Sequence, residues 1–371
     1  MSRSTFLLLL ALAACLAAGA QRPRICTSNN ELDITLDPAR IWDYNRHEGH
    51  RWGLGLGVEF PFLRDIELPV AEQRRMSLDG YVAYGVRDKA WKWGAEFALL
   101  WPHGIVDRVY FNYKSDLERA GSRALRNYDP WEVWDNPGFF SQYFVPVHRA
   151  TVGLAASTRH QRLDFSLRYG QETDFLSDPV GIPSDSVSTL HLGEVRLTWT
   201  LRQHFTADLI LGRDFTQWES DYYLRLLTQY SQRFEEHKWG QFGLFAQAGY
   251  ATLGAPQQRW FDLGGTFDAP LFFRNTFHTV LPGEYYDNAF ALAFLSYHTP
   301  AFYHTRISNP RLFAQAGAMA GLHEGPAAEL SLGLDRVIRW GILDLGVAGA
   351  CQVYPETRFA ILSVATLIFE K

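Results

Sequence analysis

Histidines are the first residues to weigh for metal binding or proton transfer. "HEGH", His47 to His50, sets two histidines around a glutamate. A helical zinc site needs its histidines at i and i+4, so that one face presents both. His47 and His50 are spaced differently, and the stretch is expected to be the polar entrance of a strand. "SYHTPAFYHT" carries His298 and His304 in a turn flanked by tyrosines, and interfacial aromatics account for it. There is no G-x-S-x-G, no glycine-rich phosphate loop and no Cys-x-x-Cys. A lipid hydrolase built from Ser, His and Asn or Asp on adjacent strands would leave no local motif. The expectation is a chain that is no enzyme, with no metal site and no cofactor.

The ionisable residues that do show a pattern are Asp79, Arg87, Glu96, Asp164, Arg168, Glu194, Arg196, Arg202, Glu329 and Asp335. Each falls on the polar side of an alternating segment. On a closed sheet they would point inward. There they either pair with one another and fill the lumen, or line a water path. Both signs occur in similar number, so no ion preference follows.

The elements that must position them are strands. "WKWGAEFALLW", Trp91 to Trp101, puts Trp91, Trp93, Ala95, Phe97, Leu99 and Trp101 on one face, with Lys92, Gly94 and Glu96 on the other. "RWGLGLGVEF" sets Trp52, Leu54, Leu56, Val58 and Phe60 against three glycines and Glu59. "SLDGYVAYGVR" sets Leu78, Val82, Tyr84 and Val86 against Asp79, Tyr81, Ala83 and Arg87. "RLDFSLRYGQ", "EVRLTWTLR" (with Trp199) and "AELSLGLDR" repeat the pattern. Period-two alternation is the mark of strands with one apolar and one polar face. About fourteen such strands (range roughly 12–16) are expected, longer than the five or six residues usual in a soluble sandwich. Trp91 to Trp101 spans roughly 33 Å of strand. Tilted, it covers about 25 Å of membrane normal, the height of an outer-membrane barrel's apolar band. Trp52, Trp91, Trp93, Trp101, Trp199, Trp340 and Phe369 are then the candidate interfacial belt. "FAILSVATLIFEK" closes the chain as a final strand, with Glu370 and Lys371 after Phe369.

Composition agrees. The chain has 371 residues, a net charge of -5, 15% aromatic residues and only 20% charged ones. Its mean hydropathy of -0.16 is no argument against a barrel, since only every second residue would face lipid. Basic residues form no run, so nucleic acid is not an expected partner. Residues 1–20, "MSRSTFLLLLALAACLAAGA", read as a cleavable export signal with a small-residue site at Ala20. "LAAC", ending at Cys15, is the alternative of a lipidated cysteine. Cys26 and Cys351 remain, either as one disulfide or as two thiols. Residues 21–50 form a short polar segment that pairs, plugs or links, and 51–371 form the barrel. The tight turns at "RDKA" and "STRHQR" fall on opposite sides of that barrel, which leaves loop sidedness unassigned.

Several segments carry a resemblance: "NRHEGHRWGLGLG", "SLDGYVAYGVRDKAWKWGAEF", "VYFNYKSDLERAGS", "AGYATLGAPQQRWFDLGGTF" and "FHTVLPGEYYDNAFALAFLSYH". Together they resemble the C-terminal outer-membrane barrel domain, of unknown function, of exported carboxypeptidase-regulatory-like domain proteins. That family's N-terminal sandwich has no counterpart in the sequence, and its role is not expected here. The barrel is also distantly similar to Omp85 assembly and secretion barrels. Those carry V-R-G-F/Y in a lumen-inserted loop and periplasmic repeats before the barrel. The nearest string, "FFRNTF", departs from that motif, so an insertase role is not implied.

The expected fold is therefore an all-β transmembrane antiparallel barrel in the outer membrane of a Gram-negative bacterium. Fourteen strands lie between the filled barrels of about 8 and the open ones of about 16–18. A plugged or narrow lumen is favoured, with a structural, assembly or surface-interaction role. The alternative is a small-solute pore. Expected partners are outer-membrane lipid, the barrel-assembly machinery during insertion, and either small solutes or surface and periplasmic proteins.

Overall fold

Successive side chains of an extended strand point to opposite faces, so alternating sequence builds two-faced sheets. The computed structural model describes residues 24–26, 32–37, 42–45, 47–62, 74–101, 104–123, 144–173, 189–202, 204–216, 221–236, 238–267, 272–281, 283–303, 305, 308–340 and 343–367. For 24–26, 42–45, 235–236, 339–340, 343 and 365–367 it describes the backbone alone. The export signal with Cys15, the string "RNYDPWEVWDNPGFFSQYF" before Phe144, His304 and Phe369 lie outside these residues. Trp340 is placed by its backbone only.

Two units share the chain: Met1–Glu118, Phe144–Trp199 and Ile210–Tyr222 in the first; Arg119–Tyr143, Thr200–Leu209 and Tyr223–Lys371 in the second. The first contains β1 (Arg24–Cys26), β2 (Asp33–Leu36), β3 (Trp42–Asn45), β4 (Gly49–Pro61), β5 (Arg75–Gly85), β6 (Trp91–Leu100), most of β7 (Val106–Arg119), β8 (Phe144–Ser157) and β9 (Gln161–Thr173). β10 (Thr189–Leu201) and β11 (Phe205–Asp214) divide their residues between the units. The second contains nearly all of β12 (Tyr222–Glu236), then β13 (Gly240–Ala251), β14 (Phe261–Asp262), β15 (Tyr286–Asp287), β16 (Ala289–His298), β17 (Arg311–Gly321), β18 (Ala327–Trp340), β19 (Leu343–Tyr354) and β20 (Arg358–Leu367).

Within the first unit antiparallel ladders join β4, β5, β6 and β7 in sequence, and β8 to β9. β2 and β3 both pair with β4, at Leu56–Glu59 and at Gly49–Trp52 respectively. They act as one interrupted strand. The sheet therefore begins inside residues 21–50, before the boundary that the sequence suggested at residue 51. With that strand the described residues hold sixteen of barrel length, at the upper end of the expected range. In the second unit an antiparallel series runs β12, β13, β16, β17, β18, β19, β20. No helix of the described residues is long and apolar enough to cross a membrane, which says nothing of strands.

The two faces of each sheet differ as the alternation requires. Leu78, Val82, Trp93 and Phe97 are exposed, while the intervening Ala83, Lys92 and Ala98 are buried. Trp52, Tyr84 and Trp91 stand in register across β4, β5 and β6, and the Tyr84 and Trp91 rings lie 5.0 Å apart. Trp91 is 66% exposed. In the second unit Leu295, Leu330, Leu332, Phe359 and Ile361 are exposed. On the opposite face Phe313, Ala348, Ala350, Leu362 and Val364 form a buried cluster.

Candidate functional site

In the second unit, a long connection between β13 and β16 is folded along the buried face of the strands. It leaves β13 at Ala251 and returns at Ala289, two positions close to each other in the β13–β16 register. A 3₁₀ turn, Gln257–Arg259, stands near its start. Phe261 then packs on Phe290 at 4.8 Å, Phe277 on Phe294 at 4.8 Å and Phe272 on Phe313 at 4.7 Å, counted between ring centroids. Three aromatic pairs give the loop a hydrophobic footing of its own. The footing explains why this face, expected to be polar, carries buried phenylalanine.

Polar groups fix the loop's position. Glu329 on β18 is 2% exposed. Its Oε2 accepts the backbone N–H of His278 at 2.7 Å, the N–H of Thr279 at 2.8 Å and the Thr279 hydroxyl at 2.6 Å. Its Oε1 stands 3.0 Å from His278 Nδ1 and accepts the Ser331 hydroxyl at 3.2 Å. His278 Nε2 accepts the Phe273 N–H at 2.9 Å, so the ring proton sits on Nδ1 and points at the carboxylate. Both ring nitrogens are thereby occupied. A Glu–His pair of this kind can orient a base, but here the imidazole is spent on its own loop. Gln315 on β17 accepts the Asn275 N–H at 3.0 Å, and the Phe272 N–H donates to the Ser363 carbonyl of β20 at 2.9 Å.

Arginines pin the start of the loop. Arg123 Nε donates to the Asp262 carbonyl at 2.8 Å. Arg225 Nε donates to the Arg259 carbonyl at 2.9 Å, and its Nη2 to the Ser122 carbonyl at 2.6 Å. At the far end of the loop Asp287 gathers the turn between β17 and β18. Its Oδ2 accepts N–H groups of His323 at 2.6 Å and Glu324 at 3.1 Å, and its Oδ1 lies 3.0 Å from His323 Nδ1. Burial alone would raise the Asp287 pKa. The His323 ring and these backbone N–H groups, with that of Ala289, outweigh it and hold the carboxyl below its ordinary range.

In the first unit the polar face is filled by its own ion pairs. Arg51 grips Asp116 with both Nη groups, at 2.8 and 2.9 Å, and the Tyr81 hydroxyl donates to the same carboxylate. Glu48, fully buried, lies 2.7 Å from Lys92 Nζ and 3.6 Å from Arg51 Nη1. Lys92 also pairs with Asp88. Arg149 bridges Glu118, at 2.8 Å, and Glu172. The glutamate of "HEGH" is thus a member of a charge network, and among the described residues no group of His, Cys, Asp and Glu could hold a metal.

The charges singled out from the sequence fall in several places. Asp79 and Glu96 are direct cross-strand neighbours on β5 and β6, and Glu96 pairs with Arg108. Asp164 accepts the Tyr110 hydroxyl at 3.0 Å. Glu194 is buried and Arg168 and Arg196 are half-buried on their strands. Asp335 lies opposite Arg311 in the β17–β18 ladder and 3.8 Å from His298 Nδ1. Arg87 and Arg202 do not stand on a strand's polar face. Both are exposed in turns where their strands end, and Arg202 has a positive φ of 49°. Alternation extrapolated one turn too far accounts for both. Trp52, Trp93 and Trp199 are exposed, and Trp101, just beyond β6, is half-buried. Cys351 is a free thiol. Lys92 was legible as a polar-parity residue; His278 and Thr279 carry no signal in the sequence, because their partner is 50 or more residues away.

No known protein family matches the chain, and no curated protein sequence does. Solved structures do. BamA from Haemophilus ducreyi lacking POTRA domains 1–3 is similar at 11% identity with a TM-score of 0.53, covering 97% of this chain and 78% of that one. CdiB from Escherichia coli is similar at 12% identity and a TM-score of 0.45, covering 93% and 67%. CdiB from Acinetobacter baumannii follows at 11% identity and 0.42, covering 88% and 58%. These neighbours are Omp85-family outer-membrane barrels. The BamA likeness shows the fold of this chain: an all-β, antiparallel outer-membrane barrel.

Proposed function

We propose that the chain is an integral outer-membrane barrel with a filled interior, and that its role is structural, in assembly or in surface interaction, without catalysis. The observation that carries this reading is the β13–β16 connection, bound along the strands through Glu329. A loop held only at its ends would leave the face open. This one is anchored in its middle, by a buried carboxylate that accepts three hydrogen bonds from His278 and Thr279 and meets the His278 ring as well. The ion pairs of the first unit support the same reading, since charges that satisfy one another need no aqueous path. The resemblance to the barrel domain of exported carboxypeptidase-regulatory-like proteins is in keeping with an outer-membrane location.

Planar-bilayer conductance of the folded, detergent-purified chain tests the reading. A heat-modifiable protein that inserts without current steps is the expected result. Discrete, reproducible steps would replace it with a small-solute pore.

A further inference from the structure

The outward face of the second unit is built of methyl groups over three of its strands. Ala246, Ala293 and Ala318 stand side by side on β13, β16 and β17, and Ala248, Ala291 and Ala320 do so in the neighbouring row. Five of the six are exposed and Ala246 is half-buried. They share the parity of the exposed Phe242, Tyr250 and Leu295, so they belong to the lipid-facing side. The outward faces of β5 and β6 in the first unit carry Leu78, Val82, Trp93 and Phe97 instead. Toward one end the alanine plateau continues into a hollow of about 940 Å³ over Ala314 and Ala316, lined also by Leu295, Leu330 and Leu332. Small residues on a membrane-facing surface let a second backbone approach closely.

Beside the plateau, β12 turns polar side chains to the same surface. Thr228, Tyr230 and Gln232 stand opposite Ala248, Ala246 and Leu244. Ala246 is midway along β13 between Tyr250 and Phe242, exposed aromatics at the two ends of this face. Aromatic girdles mark the headgroup levels, so Tyr230 lies in the middle of the hydrocarbon band. The Thr228 hydroxyl donates to the Ala248 carbonyl at 3.2 Å, and the Tyr230 hydroxyl donates to Gln232 Oε1. Among the described residues nothing accepts from the Gln232 amide nitrogen. A donor left without an acceptor in hydrocarbon is costly. It calls for an oxygen at its own depth on another molecule.

Two copies inserted in one membrane share their orientation, so a two-fold axis between them runs along the membrane normal and equal depths meet. A second copy then brings its own Tyr230 and Gln232 oxygens to the level of the Gln232 nitrogen, where lipid tails offer no acceptor. β12, β13, β16, β17 and β18, at about 4.8 Å spacing and with three outward residues each, present roughly 480 Å². Two copies bury about 960 Å², close to the roughly 1,000 Å² at which specific interfaces begin. We propose that this face is where two copies of the chain pack against each other in the membrane. The alanine rows permit the close approach, and Gln232 supplies the polar tie. The inference rests on the barrel fold alone and holds with a filled or an open lumen.

The test is native mass spectrometry of the full chain released from non-ionic detergent, over a wide range of concentration. A mass of two chains is expected, with a dissociation constant that Ala293→Phe and Ala318→Phe each raise tenfold or more. Leu78→Phe, on the outward face of the first unit, should leave it unchanged. Gln232→Leu separates the interface from lipid contact: facing lipid, the leucine would be neutral or stabilising, whereas at the interface it weakens the dimer. Heat-modifiable migration checks folding, and if a phenylalanine variant does not fold, Gln232→Leu decides. A single-chain mass at every concentration, bare or carrying retained lipid or a different protein, would overturn the proposal. So would a dimer that the folded variants leave as tight as the wild type.

Discussion

His278 and Glu329 meet twice in the second unit. The backbone N–H of His278 donates to Oε2 at 2.7 Å and its ring Nδ1 stands 3.0 Å from Oε1. Both residues are almost without solvent contact. A carboxylate removed from water is costly unless every lone pair finds a donor. Glu329 meets that condition only while residues 278 and 279 stay in place. The acid on β18 and the conformation of the loop therefore require each other.

Glu329→Gln should release the loop. An amide keeps one acceptor but turns its NH₂ toward donors, and the charge-assisted bonds to His278 and Thr279 are lost. About 3 kcal/mol is expected from the loss of hydrogen bonds to a buried charge. Limited proteolysis of the folded barrel in detergent should then cut between residues 253 and 287, where the wild type resists. Equal resistance in both would mean that the aromatic pairs alone hold the loop.

Asp287 gives the loop's return a dependence on acid. Its pKa in the fold lies below the roughly 3.9 of an unperturbed aspartate. The stability it contributes is complete above that value and is lost as the pH falls through the lowered one. Protease sensitivity of the turn at 321–325 should thus rise as the buffer is taken from about pH 5 to pH 3. Asp287→Asn should be sensitive already at neutral pH and flat across this window. A wild-type profile that matches the variant's would remove Asp287 from the account.

The exposed face of this fold was legible because period two is a local signal. Trp52, Trp93, Leu330 and Ile361 each needed only their immediate neighbours to be assigned. The docked loop was not legible, since Glu329 and Thr279 are joined through strand register and not through any spacing. Nor was the opening strand. β2 and β3 are short and separated, and only β4, which pairs with both, makes them one element. With them counted as the first strand, the tight turns after β5 and β8 follow the third and the sixth strands of the chain order.

Arg51→Lys should destabilise the first unit although charge is conserved. The guanidinium meets Asp116 through two parallel bonds, at 2.8 and 2.9 Å, and an ammonium cannot form that fork. Removing one partner of a buried pair typically costs about 3–5 kcal/mol, so Arg51→Ala should lose that much and Arg51→Lys roughly half. Urea midpoints of refolding into detergent, followed by heat-modifiable migration, read the difference. Equal midpoints for Lys and wild type would show that the charge alone is needed.

Two glycines of the same loop separate docking from chain flexibility. A Cβ on Gly265 would overlap the carbonyl of Phe277 and approach that of Val280 at 2.7 Å. Backbone cannot yield as a side-chain tip can, so Gly265→Ala must push the 272–280 segment off its aromatic footing. A Cβ on Gly254 meets nothing within 4 Å. Both changes remove the same backbone freedom from the unfolded chain, and only the first creates a clash. Gly265→Ala should cost about 1–3 kcal/mol, the range for an overpacked interior, and make the loop as protease-sensitive as Glu329→Gln does. Gly254→Ala should leave the pattern of cleavage unchanged. If both alanines behaved alike, loop entropy would explain the result, and the close packing of Gly265 under Phe277 would have no energetic weight.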